Sequence, residues 1–219
     1  MRSSKEAIAG ACEVSRIRAI FFDFDGVLTR DKTGSLTTLR YLSEATGIDL
    51  DKLRDAFREH NAALNLGRTT HGAIWPTICD RLNFQIDKDL LSAAFESTPF
   101  NADMLELARN LRKKYSVGII TDNKKDRIDH LKVHAGLPAL FDPIVVSAEV
   151  GSGKESPHIF QQALDRLRIG PMESIFIDNT TDNLAAPRAL GMNTIYFEDD
   201  ANDVQGLAAT LVGKHGLSV

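Results

Sequence analysis

The chain has little of what would commit it to several large classes of protein. It holds two cysteines, Cys12 and Cys79. They are too few for a disulfide framework and are not spaced as metal ligands, so both read as bystander thiols in a reducing compartment. No run approaches the ~20 apolar residues that a bilayer-spanning helix needs. The opening stretch, Met1 to Ser15, lacks the continuous apolar core of a secretory signal. Positive charge is not in excess: 26 Lys and Arg stand against 30 Asp and Glu, a formal charge of -4. That removes the electrostatic footing for a nucleic acid or an anionic membrane as partner. Low-complexity tracts and internal repeats are also missing. These absences leave a cytoplasmic globular protein, monomer or homodimer, as the expectation, with residues 1–16 as an N-terminal extension.

What is present concentrates in one segment. Ala19-Ile20-Phe21-Phe22 leads into Asp23-Phe24-Asp25-Gly26-Val27-Leu28-Thr29. A short apolar strand thus delivers two carboxylates, two residues apart, into a glycine turn. Strand side chains alternate, so Asp23 and Asp25 fall on one side where the strand ends. Carboxylates held so close repel unless a cation or a proton lies between them.

After Thr29 the pattern turns helical, with apolar residues at helical spacing through Leu36–Leu42, Leu53–Leu64, Thr70–Leu82 and Leu90–Phe95. Asp49 or Asp51 is placed to cap the second segment, Pro76 sits awkwardly within the third, and Pro99 ends the block. From residue 101 helix and strand alternate: helices at 102–114, 126–135, 157–167, 182–190 and 204–211, and strands at 116–121, 144–146, 175–177 and 194–197. With the first strand this predicts an α/β fold, a Rossmann-like parallel five-stranded sheet in three layers. Residues 17–30 and 99–219 form the core, and 31–98 form an inserted helical module.

Three further strands end in polar groups: Thr121-Asp122-Asn123, then Ser147 with Lys154 soon after, then Asp178-Asn179. Ligands of open parallel sheets bind beyond the carboxyl ends of the strands, so these clusters are expected to converge with Asp23 and Asp25. Carboxylates suit a hard cation, while a hydroxyl and an ammonium suit phosphate oxygens. Gly151-Ser152-Gly153-Lys154 is followed by Glu155 and lacks the earlier glycine of a P-loop.

In this order the motifs resemble the haloacid dehalogenase superfamily of aspartyl phosphotransferases, from about residue 17 onward. The first motif is matched by Asp23 to Thr29, the second by Thr121, the third by Lys154 with Pro157, Ile159 and Phe160, and the fourth by the region from Asp178 to Met192. A lone D-x-D is weak; four motifs in order are specific. The module at 31–98 resembles a helical cap, of the subclass similar to glucose-1-phosphatase-like enzymes and to the N-terminal phosphatase domain of epoxide hydrolases.

The resemblance implies a Mg2+-dependent hydrolysis of a small phosphorylated metabolite. It makes Asp23 the nucleophile, Asp25 the acid and base, and Thr121 and Lys154 the phosphoryl-binding groups. Asp23, Asp25, Asp178 and Asn179 are then the metal residues, and Asp122, Asn123, Arg68 and His71 the substrate-facing ones. Because relatives that remove halogen lack an acid two residues after the nucleophile, dehalogenation is not expected.

Three positions depart from the family pattern. Asn179 stands where many relatives carry the principal metal carboxylate, with Asp178 and Asp182 as alternative ligands. Asp122 replaces a usual asparagine, and Glu155 a common proline. Two other readings follow, a weakened binding or regulatory member and a phosphomutase. Of the remaining signals, Trp75 reads as cap core, Lys124, Lys125 and Arg127 as a solvated helix start with one of them at the pocket rim as the alternative, and His130 with His134 as an exposed helix face without a third ligand.

Overall fold

Strand β1, Ala19–Phe22, is wholly buried. Its length suits a strand covered on both faces, and the order of the sheet explains why. In the computed structural model, which describes residues 16–219, β1 lies at the centre of a five-stranded sheet ordered β3-β2-β1-β4-β5. The others are β2, Ser116–Thr121, β3, Ile144–Val146, β4, Ser174–Asp178, and β5, Asn193–Tyr196. Every pairing is parallel, and Phe22 is in register with Ile119 on one side and Ile177 on the other. By this register β4 runs one residue beyond the end of β1 and β2 two residues beyond it.

Alternation sorts the strand residues into two cores. Ile20, Phe22, Val117, Ile119, Ile175 and Ile177 face one way, onto α6, Ala102–Arg112, α7, Lys125–His134, and α11, Val204–His215. Ala19, Phe21, Ile120 and Phe176 face the other, onto α9, Pro157–Leu167, and α10, Ala185–Leu190. Between β3 and α9 lies a short helix that the sequence pattern does not announce, α8, Ser147–Val150.

The residues between β1 and α6 form five helices: α1, Gly34–Thr46, α2, Leu50–Arg58, α3, Asn61–Asn65, α4, His71–Leu82, and α5, Asp89–Glu96. They bury an apolar cluster of their own, including Leu42, Leu53, Phe57, Ile78 and Phe95. Trp75 belongs to it, its indole N–H donating to the Ile86 carbonyl at 3.0 Å. Asp49 caps α2 by accepting from the amides of Asp51 and Lys52. The expected single segment through Leu64 is two helices, parted at Glu59 and His60. Helix α4 runs through Pro76, which has no N–H to offer the carbonyl four residues back. The insertion leaves and rejoins the sheet side by side: Arg30 N donates to Pro99 O, and Asn101 N to Leu28 O. Among the described residues no helix is long and apolar enough to cross a membrane.

Candidate active site

Beyond β1 the chain makes a wide turn over Phe24–Leu28, interrupted by an extended Asp25 and a left-handed Gly26 at φ 78°. A side chain at 26 would be strained by that backbone and would strike the Asn179 amide, 2.2 Å from an ideal Cβ. Glycine thus lets the fourth motif pack directly on the first.

The neighbouring strand tips bring the expected residues together around a cavity of about 430 Å3. Asp23, Asp25, Thr121, Asp122, Lys154 and Asn179 line it, joined by Asn183. The insertion contributes Lys32, Ser35, Asn61 and Asn65. A second cavity of about 600 Å3, walled by Phe100, Leu105, Leu137 and Phe141, contains no carboxylate or nucleophile.

Asp23 is buried and fixed at both oxygens. Oδ1 accepts from Phe24 N at 2.7 Å, and Oδ2 lies 2.8 Å from Lys154 Nζ. Burial pushes its carboxyl up to about 7, with the Lys154 ammonium pulling down and the Asp178 charge adding to the rise. Lys154 Nζ also donates to Asp178 Oδ2 at 2.7 Å. Burial works against that ammonium, yet Asp23, Asp178 and Asp122 outweigh it and hold its pKa above the ordinary lysine value.

Asp178 is fully buried and saturated. Its Oδ1 accepts from Thr180 N and Asn183 Nδ2, and its Oδ2 from Lys154 and Asn183. It therefore serves the lysine, and no oxygen is left free for the cavity. Asp182, the other alternative ligand, is exposed to solvent. Asn179 does line the cavity, and its Nδ2 reaches Asp199 Oδ2 at 3.4 Å. Asp122 turns its carboxylate back onto the Lys154 amide, at 3.0 and 3.2 Å. It thereby orders the lysine loop; burial raises its pKa.

Asp25 has a different neighbourhood. The buried Arg127 guanidinium grips it with both arms, Nη1 to Oδ2 and Nη2 to Oδ1, each at 3.0 Å. Asn123 Nδ2 adds a bond of 2.7 Å to Oδ2. Asn123 thus orients Asp25 and does not itself line the cavity. Arg127 also donates to Thr98 Oγ1 at 3.2 Å, lies over the Phe24 ring, and presses on Gly34, where an ideal Cβ would come within 2.1 Å of its Cζ.

Two further expected contacts do not reach the cavity. His71 is buried against Phe57 and Phe95, and its backbone and Nδ1 both engage Asp126, at 2.9 Å each. Burial works upward on the Asp126 carboxyl, but the His71 bonds outweigh it and hold it low. His71 is a joint between insertion and core. Arg68 is exposed and is not among the lining residues.

Conversely, the reading of Lys124 and Arg127 as solvated is corrected: both are buried, and only Lys125 of that trio is exposed. Lys124 lines the cavity and donates to Ser35 Oγ at 2.7 Å. Burial lowers its pKa to about 8. A helical signal was available for both, because 124, 127, 128 and 131 share one face and Ile128 and Leu131 mark it as the inner one.

The chain matches the family model described as haloacid dehalogenase-like hydrolase over residues 17–210. It is 30% identical over 215 residues to rat bifunctional epoxide hydrolase 2, covering 87% of this chain but 38% of that protein. It therefore spans well under half the length of that relative. Glyceraldehyde 3-phosphate phosphatase of Methanopyrus kandleri is 23% identical, with 82% of this chain and 83% of that one covered. Among solved structures, a HAD family enzyme from Bacteroides thetaiotaomicron in complex with magnesium and inorganic phosphate superposes with a TM-score of 0.64 at 20% identity, covering 82% of this chain and 93% of that one.

Proposed function

The chain belongs to the haloacid dehalogenase-like hydrolases, and from that membership we propose that it is a Mg2+-dependent phosphatase of a small phosphorylated metabolite. The observation that carries this reading is Asp23: a buried carboxylate at the central strand tip, aimed by Phe24 N and Lys154, and open to a polar cavity that also holds Thr121. In this reading Asp23 attacks phosphorus and takes up the phosphoryl group as an aspartyl-phosphate, which water then cleaves. Thr121 and Lys154 bind the phosphoryl oxygens as charge builds on them. The insertion, residues 31–98, acts as the cap over the cavity.

Asp25 serves as acid and base while held by Arg127. Its Oδ2 accepts from both Arg127 and Asn123, which leaves the second acceptor position of Oδ1 as the one that carries the proton.

The donor set fits a hard cation, since the Asp23 carboxylate, the Asp25 backbone carbonyl and the Asn179 amide oxygen are all oxygen ligands. The close packing of Asn179 on the glycine turn keeps the last two neighbours. When bound, Mg2+ screens the approach of an anionic phosphate to an anionic nucleophile. Its ligand charge is lower than two carboxylates would give, because Asn179 is neutral and Asp178 is committed to Lys154. That same observation favours one second reading, a weakened member that binds a phosphorylated ligand and turns it over poorly.

The cavity supports a hydroxyl-bearing substrate such as a sugar phosphate. Asn65 Oδ1 is buried without a partner and can accept from a substrate hydroxyl, and Asn61 lies beside it on α3. Phosphate release from an aryl phosphate, with and without Mg2+, tests the proposal. Wild type is expected to release phosphate only with Mg2+, and Asp23→Asn to lose release altogether; unchanged release by Asp23→Asn overturns the mechanism. Turnover by Asn179→Asp alone would select the weakened-site reading.

A further inference from the structure

Helix α7 meets the insertion along one stripe, residues 126, 130 and 134, spaced four apart. At the inner end Asp126 holds His71 of α4. At the outer end stand His130 and His134, and the acidic partner absent from their own helix arrives from α5. Glu96 Oε1 lies 2.9 Å from His130 Nε2 and 3.5 Å from His134 Nδ1. The three ligand atoms all fall within 4.8 Å of one another. The imidazoles stack at 6.0 Å between centroids and 19° between planes, and the Phe95 ring, edge-on to His130, walls one side.

We propose that Glu96, His130 and His134 form a second metal site, one for a first-row transition ion of the zinc type, which staples α5 to α7. Imidazole and carboxylate donors in a set of three, with room for solvent as the fourth ligand, suit zinc and are poor for magnesium. Bonds of about 2.0–2.1 Å in tetrahedral array put ligand atoms about 3.4 Å apart. The two carboxylate–imidazole separations, 2.9 and 3.5 Å, bracket that value, and the imidazole–imidazole one lies within 4.8 Å. All three side chains remain partly exposed, so an ion can enter from solvent. The site also joins a helix of the insertion to a helix of the sheet layer. Glu96 ends α5 just before the segment that returns to the sheet, so a bound ion restrains the outer end of the seam whose inner end is Asp126 and His71.

The test is calorimetric titration of the whole chain with Zn2+ in excess Mg2+, which covers the cavity carboxylates, alongside hydrogen exchange. Neither readout depends on turnover. Wild type is expected to bind one Zn2+. Affinity should fall at least about tenfold in Glu96→Gln and further in the double variant His130→Ala/His134→Ala. Circular dichroism verifies that these surface variants are folded. Exchange at the end of α5 and across residues 97–99 should slow with Zn2+ in wild type and not in the double variant. Zinc binding that persists undiminished in the double variant overturns the site. Binding that is lost with it but never slows exchange overturns the staple.

Discussion

Around Lys154, two carboxylates share one ammonium, and a third holds the backbone amide of the same residue. Around Arg127, one carboxylate receives both arms of a guanidinium. Both clusters are buried and each holds one carboxylate of the first motif, yet they are anchored differently. The partners of the Lys154 ammonium come from the tips of β1 and β4, whose register the sheet fixes. Those of Arg127 straddle two parts of the molecule: Asp25 and Asn123 on the sheet side, Gly34 and Thr98 at the two ends of the insertion. The first cluster is built to stay, and the second to register where the insertion lies. In the proposed reaction that divides the nucleophile, which is preset, from the acid, whose guanidinium partner also touches the insertion.

Removing the shared ammonium gives the largest effect. Lys154→Met leaves Asp23 and Asp178 facing one another without compensation in a buried site. We expect kcat to drop about a thousandfold and stability to fall by about 3–5 kcal/mol in urea denaturation. A variant of wild-type stability would show that the three groups are not one electrostatic unit.

Arg127→Leu strips Asp25 and Asn123 of their main donor and should cost about 3 kcal/mol. Because Arg127 approaches no phosphoryl-binding group, its activity should fall far less than that of Lys154→Met, by under about a hundredfold. An equal loss would erase the distinction between the two clusters.

A third effect belongs to the cavity wall. Burial holds the Lys124 pKa at about 8 against an ordinary 10.5. Its folded value therefore lies below its unfolded one, and the stability linked to it is present above about 10.5 and lost as pH falls through about 8. Activity should show the opposite trend. Above pH 8 the wall loses a cation, so KM for an anionic substrate should rise by about tenfold, or 1.4 kcal/mol, while kcat holds. In Lys124→Met, KM should be high and flat from pH 7 to 9. A KM in wild type that ignores pH would remove Lys124 from substrate binding.

The difference between the clusters also marks what could be read from the sequence. The alternation after residue 101 and the polar residues closing the strands located Asp23, Thr121 and Asn179, because strand position alone sends those groups to one edge; Lys154, which lies beyond α8, was located by the order of the motifs. The division of labour in the fourth motif was not legible. Asp178 and Asn179 are neighbours on paper, and only packing reveals that one faces the lysine and the other the glycine turn. Arg127 was misread because charged residues at a helix start are usually solvated, although its helical phase matched Ile128 and Leu131. His71 was placed at the substrate on loop resemblance, and a partner 55 positions away, Asp126, claims it instead. Glu96 stands 34 positions from His130, beyond any local spacing rule.

The last effect is the most specific to the second cluster. Gly34 opens α1 where the Arg127 guanidinium crosses it, and an ideal Cβ there comes within 2.1 Å of Cζ and Nη1. A flexible arginine could normally step aside, but this one is tied to Asp25, Asn123 and Thr98. In wild type, Gly34→Ala should therefore destabilise by about 1–3 kcal/mol through overpacking. In the Arg127→Leu background the obstruction is gone, and alanine's better helix propensity, worth up to about 1 kcal/mol, should make the same change neutral or favourable. The double-mutant cycle thus predicts a coupling of at least about 1 kcal/mol with a change of sign. The same cost in both backgrounds would mean that α1 and Arg127 do not sense one another, and that the insertion has no hold on Asp25 through this contact.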